Sequence, residues 1–184
     1  MFGGSFDPVH VGHLFVAEEA RINLGYDRVV FVPAHQPPHK SDAPAASAED
    51  RVKMLEIAIG DRADFVVDTW EVEQKGVSYT IDTVRYLYDS GAVDGRLGLI
   101  IGDDLLEGFH TWKDARELAQ MVDIIVATRE GENGAHLRYS TIDNSPLPVS
   151  SSEVRERARA GKAYRYLVPE SVYGYIRTHA LYTE

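Results

Sequence analysis

The sequence predicts an α/β fold in which a parallel β-sheet carries helices on both faces. Short apolar runs alternate with stretches of helical periodicity along the whole 184-residue chain, which is the pattern of successive βαβ units. The polar and glycine-rich motifs come directly after apolar runs, and ligands of open parallel sheets bind beyond the carboxyl ends of the strands. We therefore expect a Rossmann-like, doubly wound parallel sheet in a single domain, residues 1–184, with a ligand crevice at that edge.

Each element follows from a local pattern in the chain. Apolar residues three and four positions apart mark the inward face of a first helix, namely Leu14, Ala17, Ala20 and Leu24. Gly25 can end this helix, because glycine readily adopts the left-handed conformation of a C-terminal cap. The remaining pattern predicts strands at residues 28–32, 65–69, 97–101 and 124–128 and helices at residues 47–59 and 80–88.

The second predicted helix carries its own start signal. Ser47 and Asp50 have the spacing of a capping box. The residues of this helix that we expect to face the core are Val52, Leu55 and Ile59.

Two connections lack a periodic pattern. Residues 33–46 are rich in Pro, Ala and Ser and predict a mobile loop over the crevice. Residues 130–148 predict a second irregular connection.

Composition limits the classes of protein to which the chain can belong. It has no cysteine, which excludes disulfides, thiolate zinc sites and a cysteine nucleophile. The net charge of −10 argues against a nucleic-acid partner, because affinity for a polyanion comes from clustered Lys and Arg. No apolar run approaches a bilayer span and no secretion leader is evident, so we expect no membrane partner and a cytoplasmic location. The oligomeric state stays open, with a homo-oligomer as one option.

Residues 3–13, GGSFDPVHVGH, combine features that suit a bound phosphate. Gly3 and Gly4 are expected to adopt a backbone conformation closed to other residues, which would bring peptide N–H groups close to an anion. His10 and His13 lie three positions apart where the first helix begins, so both rings can face one point at its positive end. Either feature alone is common in unrelated chains, but their combination predicts an anion site.

The segment SSSEVR near the C-terminus predicts a second anion site. Ser150 and Glu153 fit a capping box, and the remaining N–H groups of the helix start could hold phosphate oxygens together with the hydroxyls of Ser151 and Ser152. Arg155 adds a fixed cation. The plain alternative is an N-cap that binds nothing.

Residues 4–13 resemble the (T/S)-F-D-P-x-H-x-G-H signature of the HxGH nucleotidyltransferases, which transfer a nucleotidyl unit from a nucleoside triphosphate and release pyrophosphate. Further motifs come in the order and approximate spacing of bacterial nicotinate mononucleotide adenylyltransferases: PPHK at 37–40, SYT at 78–80, IGDD at 101–104, TW at 111–112 and VSSSEVR at 149–155. The resemblance covers nearly the whole chain. It implies the nucleotidyltransferase type of α/β fold and adenylyl transfer from ATP to nicotinate mononucleotide. The products would be nicotinate adenine dinucleotide and pyrophosphate, in a step of NAD biosynthesis.

The resemblance also implies roles at the ATP site. His10 and His13 are the HxGH pair at the α- and β-phosphates, and Gly12 between them permits close approach of the backbone. Lys40 and Arg155 are the expected cationic contacts to the phosphates, although on spacing alone Lys40 is as well explained as an incidental loop residue. The other expected ATP-site residues are Gly3, Gly4, Ser5, Phe6, Gly102, Asp104, Arg129, Ser150, Ser151 and Ser152.

The acceptor is expected to bind at the SYT and TW motifs. Trp112 offers a flat surface for stacking and cation–π contact with a pyridinium ring. Thr80 and the N–H groups of a helix start can hold the nicotinate carboxylate. Ser78, Tyr79 and His39 complete the acceptor residues that the resemblance implies. A core tryptophan and an ordinary N-cap are the structural alternatives.

Two adjacent acids, Asp103 and Asp104, follow an apolar strand. A carboxylate there can accept hydrogen bonds from ribose hydroxyls, and the pair could instead bind Mg²⁺. The family pattern I-G-x-D selects Asp104 and a ribose role. Mg²⁺ is then expected to be carried by ATP, with no metal site on the protein.

Three positions depart from the family pattern. Only Met1 and Phe2 precede the first glycine, so a full apolar first strand, which should be central, is expected to be missing at a cost in packing. Arg129 is followed by Glu130 where the family has the proline of R-P-G. Val77 stands where a proline usually precedes SYT.

Two other functions remain open at this point. The same fold and reaction could serve nicotinamide mononucleotide or phosphopantetheine, although Trp112 and the SYT motif favour a pyridine. The alternative from another class is a non-catalytic nucleotide- or metal-binding module, in which four histidines form a zinc cluster: His10, His13, His35 and His39. Zinc sites built from four histidines alone are uncommon.

Overall fold

A computed structural model describes residues 1–36, 43–127, 139–142 and 147–183. Its strands are β1 (Phe2–Gly4), β2 (Val29–Pro33), β3 (Phe65–Val67), β4 (Leu97–Gly102), β5 (Val122–Ala127) and β6 (Ser140–Ile142). Its helices are α1 (Val11–Leu24), α2 (Ala48–Ile59), α3 (Trp70–Gln74), α4 (Thr80–Asp89), α5 (Ala115–Met121), α6 (Ser151–Arg159) and α7 (Glu170–Thr178). Short 3-10 turns lie at Asp103–Leu105, Glu107–Thr111 and Arg165–Leu167.

The described strands form one sheet in the order β3-β2-β1-β4-β5-β6. Every pair of neighbours runs parallel. The chain order reverses between β1 and β4, and a reversal of this kind opens a crevice beyond the carboxyl ends of the two strands. The predicted doubly wound parallel sheet is confirmed.

Two hydrophobic clusters cover the two faces of this sheet. Side chains alternate between faces along a strand, so Ile100 of β4 joins one cluster while Leu99 and Ile101 join the other. The first cluster packs against α1, α2, α6 and α7, and the second packs against α4 and α5. The near-continuous apolar run of β4 follows from burial on both faces.

The first strand is short but present at the centre of the sheet. Phe2 pairs with Phe31 on one side and with Ile100 on the other, and the Ile100 N–H donates to the Met1 carbonyl at 2.9 Å. A full apolar first strand is thus missing, as expected, but a three-residue strand takes the central place, because parallel neighbours on both sides pair even so short a segment.

The long elements lie close to their predicted positions. Gly25 ends α1 in the left-handed conformation as expected, with φ of 72°. Ala17 and Ala20 are buried, whereas Leu24 is exposed on the last turn, so its predicted inward position is wrong. In α2, Leu55 and Ile59 are buried as expected and Val52 is half-buried.

Several elements were not predicted. The helices α3, α5 and α7 have no counterpart in the sequence-based assignment, and β6 lies inside residues 130–148, where we expected an irregular connection. β6 pairs with β5 over only three residues, of which Ile142 alone is buried. A segment this short shows no period of its own, so the partner strand decides its conformation.

Candidate active site

A cleft of about 890 Å³ opens at the carboxyl ends of the central strands. Gly4 of β1, Gly102 of β4 and Ala127 of β5 form its floor. The first residues of α1, α4 and α6 line its sides. Three helix N-termini therefore face one space, which is the arrangement that favours bound anions.

The two glycines of the first motif act differently from the expectation. Gly3 and Gly4 belong to β1, and neither has a positive φ. The left-handed residue is Phe6, with φ of 48°. A Cβ on Gly4 would lie only 3.1–3.3 Å from atoms of the Phe6 ring. The predicted special conformation at these glycines is wrong, and Gly4 instead leaves space for the ring of the residue that bends the chain.

The two motif histidines cap the start of α1 with each other. His10 is the N-cap, and its Nδ1 accepts from the His13 N–H at 3.3 Å, while His13 Nδ1 accepts from the His10 N–H at 3.2 Å. The rings stack with their centroids 3.6 Å apart. Because both Nδ1 atoms are acceptors, each neutral ring carries its proton on Nε2 and can donate from that atom. The structure thus brings the predicted pair together at the helix N-terminus.

Close packing around His10 explains the glycine between the histidines. His10 is only 2% exposed. A Cβ on Gly12 would lie 2.9 Å from Val149 Cγ1 and 3.1 Å from two atoms of the His10 ring. Gly12 is therefore needed for packing at the helix start, whether or not a ligand approaches its backbone.

Asp7 is a buried centre of contacts that the sequence analysis missed. Its Oδ2 accepts from the Ala45 N–H at 2.7 Å, and its Oδ1 accepts from the Ala46 N–H at 3.1 Å and from the Tyr182 hydroxyl at 2.8 Å. Arg155 Nη1 lies 3.7 Å from Oδ2 and donates to the Asp7 carbonyl at 2.7 Å. One aspartate thus joins the first motif to three distant segments.

Arg51 is a second residue that the sequence analysis missed. Its Nη1 donates to the carbonyls of Ser5 at 2.8 Å and Ala34 at 2.7 Å, which ties the end of β1 to the end of β2. Burial lowers the pKa of its guanidinium from the usual range. The sequence did hold a signal for the burial of Arg51, because Arg51 lies at a spacing of four from Leu55 and of eight from Ile59 and so shares their helical face.

The start of α6 matches the predicted cap in part. Ser150 Oγ accepts from the Glu153 N–H at 3.2 Å, but the Glu153 carboxylate pairs with Arg157 at 2.8 Å and does not complete a capping box. The Ser151 hydroxyl donates to the Pro8 carbonyl at 2.9 Å, which ties α6 to the first motif.

Arg155 and Ser152 lie together at the start of α6. Arg155 Nη2 donates to Ser152 Oγ at 3.2 Å. Both residues, with Ser150 and Ser151, line the cleft. The predicted second anion site therefore faces the same space as the histidines.

The start of α4 forms the opposite side of the cleft. Tyr79 is its N-cap residue, and no side chain among the described residues caps it. Thr80 opens the helix and lines the cleft with Ser78 and Tyr79. The SYT motif thus does open a helix, as predicted, with Tyr79 at the N-cap position and no side-chain hydrogen bond from it to the helix.

A buried acid lies behind the SYT motif. Glu71 of α3 lines the cleft and accepts from the hydroxyls of Thr83 and Ser78. Burial raises the pKa of its carboxyl above the ordinary 4.5, and the two hydrogen bonds offset part of that rise. Since Ser78 Oγ also accepts from the His35 N–H at 3.1 Å, the Ser78 hydroxyl is already engaged on both sides. Nothing in the local pattern pointed to Glu71.

Trp112 and Asp104 also line the cleft. Trp112 is half-buried and packs against Phe109, with ring centroids 5.1 Å apart, while it also lines the cleft. Asp104 follows β4 and folds over Gly102, where a Cβ would meet its Oδ1 at 2.2 Å. Lys113, which was not predicted, lines the cleft with its Nζ 4.8 Å from the centre of the Tyr79 ring.

Three predicted site residues cannot be placed. Lys40, His39 and Arg129 lie outside the described residues. Their roles stay predictions.

No metal cluster appears within the described part of the chain, where no three His, Asp or Glu side chains lie close enough to hold a metal ion. The His35 ring accepts from the Gly76 N–H at 3.1 Å. Of the four histidines in the zinc alternative, His39 is not described. The described residues thus lend that alternative no support.

None of the described helices is long and apolar enough to cross a membrane.

Comparison with known proteins agrees with this geometry. The sequence model of the cytidylyltransferase-like family matches residues 1–157. Probable nicotinate-nucleotide adenylyltransferases from Salinibacter ruber and Bacillus pumilus are 43% and 40% identical to the chain, over 99% of the chain and 96% of their own length. A third, from Borreliella afzelii, is 36% identical over 100% of the chain and 96% of its length.

Solved structures share the fold. Plasmodium falciparum nicotinic acid mononucleotide adenylyltransferase complexed with NaAD matches with a TM-score of 0.77 and 20% identity, over 98% of this chain and 95% of that one. The same enzyme complexed with APC matches with a TM-score of 0.75 and 19% identity, over 98% and 94% of the two chains. The chain belongs to the cytidylyltransferase-like family and, within it, to the nicotinate-nucleotide adenylyltransferase group of nucleotidyltransferases, as its motifs predict.

Proposed function

We propose that this protein transfers the adenylyl group of ATP to nicotinate mononucleotide, releasing pyrophosphate, as a cytoplasmic step of NAD biosynthesis. The observation that carries the proposal is the convergence of the α1, α4 and α6 N-termini on one cleft. Two of these helix starts suit the triphosphate, and the third suits the carboxylate of the acceptor. The names of the relatives favour this acceptor.

The reaction needs no nucleophile from the protein. An oxygen of the mononucleotide phosphate attacks the α-phosphorus of ATP in line, a new P–O bond forms, and the bond to the leaving pyrophosphate breaks. Both reactants are anions, so the protein must align them and stabilise the negative charge that builds up between the α- and β-phosphates.

The described residues around the α1 N-terminus suit that task. The Nε2–H groups of His10 and His13 are donors whose orientation is set by the helix start, because each Nδ1 is held by a backbone N–H. Such fixed donors need no reorganisation when charge develops. Arg155 adds a cation whose guanidinium is held by the Asp7 carbonyl.

The opposite side of the cleft suits the acceptor. The uncapped start of α4, with Thr80, can donate to a nicotinate carboxylate. The Trp112 ring can stack on the pyridinium. At the ATP site, Asp104 can accept from a ribose hydroxyl. Lys40, His39 and Arg129 are proposed as further contacts on the basis of the family resemblance.

We further propose that Mg²⁺ enters with ATP. Asp103 and Asp104 are the acid pair that the sequence offered for Mg²⁺, but Asp103 Oδ1 already accepts from the Asp104 N–H at 3.0 Å. Mg²⁺ usually keeps several waters and binds substrate phosphates, where it neutralises charge. In calorimetric titrations we expect no tight binding of Mg²⁺ to the protein alone, and tighter binding of ATP when Mg²⁺ is present.

An assay of acceptor use tests the main proposal. The purified protein is given ATP, Mg²⁺ and one of three acceptors: nicotinate mononucleotide, nicotinamide mononucleotide or phosphopantetheine. Pyrophosphate release and the adenylylated product are measured. We expect kcat/KM to be highest for nicotinate mononucleotide. Turnover of phosphopantetheine with neither mononucleotide used would overturn the proposal.

A further inference from the structure

A tyrosine near the C-terminus contacts the first motif directly. Tyr182 is 7% exposed, and its hydroxyl donates to Asp7 Oδ1 at 2.8 Å across 175 positions of sequence. Tyr182 lies beyond residues 1–157, the part of the chain that the family model matches. The contact therefore joins the first motif to residues beyond the range that the family model matches.

Asp7 links Tyr182 to residues of the candidate site through its other hydrogen bonds. Its carboxylate also accepts from Ala45 and Ala46, and its carbonyl accepts from Arg155 Nη1 at 2.7 Å. Pro8, the next residue, accepts from the Ser151 hydroxyl at 2.9 Å. A shift of Asp7 would therefore move Arg155 and the start of α6 relative to His10.

The backbone is strained on both sides of the contact. Phe6, directly before Asp7, has φ of 48°, and Tyr182 itself has φ of 62°. Left-handed conformations are unfavourable for residues with large side chains, and they persist where the surrounding contacts over-determine them. The Asp7–Tyr182 hydrogen bond joins the two strained segments.

We propose that Tyr182 is a positioning residue of the active site, which acts through Asp7 to hold Arg155 and the α6 N-terminus where they grip the phosphates of ATP. This inference rests on the proposed function for its choice of ligand. Burial and the charge of Asp7 raise the pKa of the Tyr182 hydroxyl far above its ordinary value, so that the hydroxyl stays a donor at any physiological pH.

The test compares two substitutions that each remove one hydroxyl. Tyr182→Phe removes the donor to Asp7. Tyr175→Phe is the matched control, because the Tyr175 hydroxyl also donates from the C-terminal region to an aspartate, Asp50 of α2 at 2.9 Å, without touching the motif. For each variant, KM for ATP, KM for nicotinate mononucleotide, kcat, the dissociation constant of ATP and the melting temperature are measured.

We expect Tyr182→Phe to raise the KM and the dissociation constant of ATP about tenfold, since a hydrogen bond to a carboxylate is lost and part of that loss is transmitted through Asp7 to Arg155. The KM for nicotinate mononucleotide should change less than about twofold. Tyr175→Phe should leave both KM values and the dissociation constant of ATP unchanged. With Arg155→Ala in the background, Tyr182→Phe should add little further loss of ATP affinity, because both changes act on one contact.

The inference is overturned if Tyr182→Phe leaves ATP affinity unchanged, whatever its effect on the melting temperature relative to Tyr175→Phe. Additive losses with Arg155→Ala would also overturn it. Failure of the proposed function looks different: the unaltered protein would bind ATP but would not adenylylate nicotinate mononucleotide, and the ATP titrations would still decide the role of Tyr182. If the unaltered protein bound no ATP, both proposals would fail.

Discussion

The two sides of the cleft are built in different ways. The proposed phosphate wall consists of Asp7, His10, His13, Ser150 and Arg155, and the proposed acceptor wall consists of Ser78, Tyr79, Thr80 and Trp112. In the phosphate wall, Asp7 and His10 are buried and bound to backbone groups from several segments. In the acceptor wall, Tyr79 is 37% exposed, and Thr80 and Trp112 are only partly buried.

This difference fits the tasks that we propose for the two walls. Donors that stabilise developing charge are most effective when they are already oriented before the reaction. A surface that stacks on a ring and pairs with its substituent needs access from solvent instead, and its contacts can be completed by the ligand. The phosphate wall should therefore respond to substitution in kcat and in stability, whereas the acceptor wall should respond mainly in specificity.

The largest effect is expected from His13→Ala. The substitution removes a donor oriented toward the cleft, and loss of one such preorganised donor costs about 10²–10³ in kcat. Turnover is measured beside the melting temperature. His110→Ala is the control, since this exposed ring contacts the Glu107 carbonyl away from the cleft and its loss should leave kcat unchanged. Near-normal turnover of His13→Ala would contradict the expectation that substitutions in the phosphate wall lower kcat.

Gly12→Ala should affect the phosphate wall through packing. The added methyl group would lie 2.9 Å from Val149 Cγ1 and against the His10 ring, and overpacking of this kind costs about 1–3 kcal/mol. Denaturant unfolding measures this loss. Gly174→Ala in α7 is the control, because its methyl group would meet nothing within 4 Å and should stabilise the helix by about 0.5–1 kcal/mol. Equal stability of the two variants would show that the helix start is not tightly packed.

The acceptor wall should discriminate between the acid and the amide. A helix start that donates to a carboxylate leaves donors unpaired when it meets an amide NH₂, at about 1–3 kcal/mol each. Thr80→Ala should therefore shrink the ratio of kcat/KM for nicotinate over nicotinamide mononucleotide by roughly fivefold or more. Trp112→Ala is the comparison, because stacking depends on the pyridinium ring that both mononucleotides share. The KM values for nicotinate and nicotinamide mononucleotide should both rise, and the ratio of the two kcat/KM values should stay nearly constant. A ratio that falls with Trp112→Ala and not with Thr80→Ala would reverse the assignment.

The smallest effect concerns the buried acid behind the acceptor wall. The pKa of Glu71 is higher in the folded protein than its ordinary 4.5, so the folded state holds this proton more tightly than the unfolded state does. Its contribution to stability is therefore greatest below pH 4.5 and falls as pH rises through the folded pKa. In Glu71→Gln this loss is absent, so the unfolding free energy of the variant minus that of the parent should rise from acidic to neutral pH. A pH-independent difference would contradict the raised pKa.

Parts of both walls could be predicted from the sequence because they depend on local rules. His10 and His13 mark a helix start by their spacing, and Ser150 marks another by its preference for the N-cap. The structure confirms both positions. What these rules did not predict is burial: His10 is only 2% exposed, and a Cβ on Gly12 would meet both its ring and Val149.

The sequence by itself determined the fold class, the long helices and most strands, and the helix starts that face the cleft, because hydrophobic period and capping preference act over a few neighbouring residues. Only the tertiary structure decided that β1 is a paired central strand, that Phe6 is the residue that bends the chain, and that Asp7, Arg51, Glu71 and Tyr182 are buried in contact with the site. The partners of Asp7, Arg51 and Tyr182 lie in other segments of the chain, 175 positions apart in the case of Tyr182 and Asp7, and the partners of Glu71 lie on the next helix and the residues before it. A buried polar group is stable only where folding supplies its hydrogen bonds, and no local pattern states which distant residue will do so.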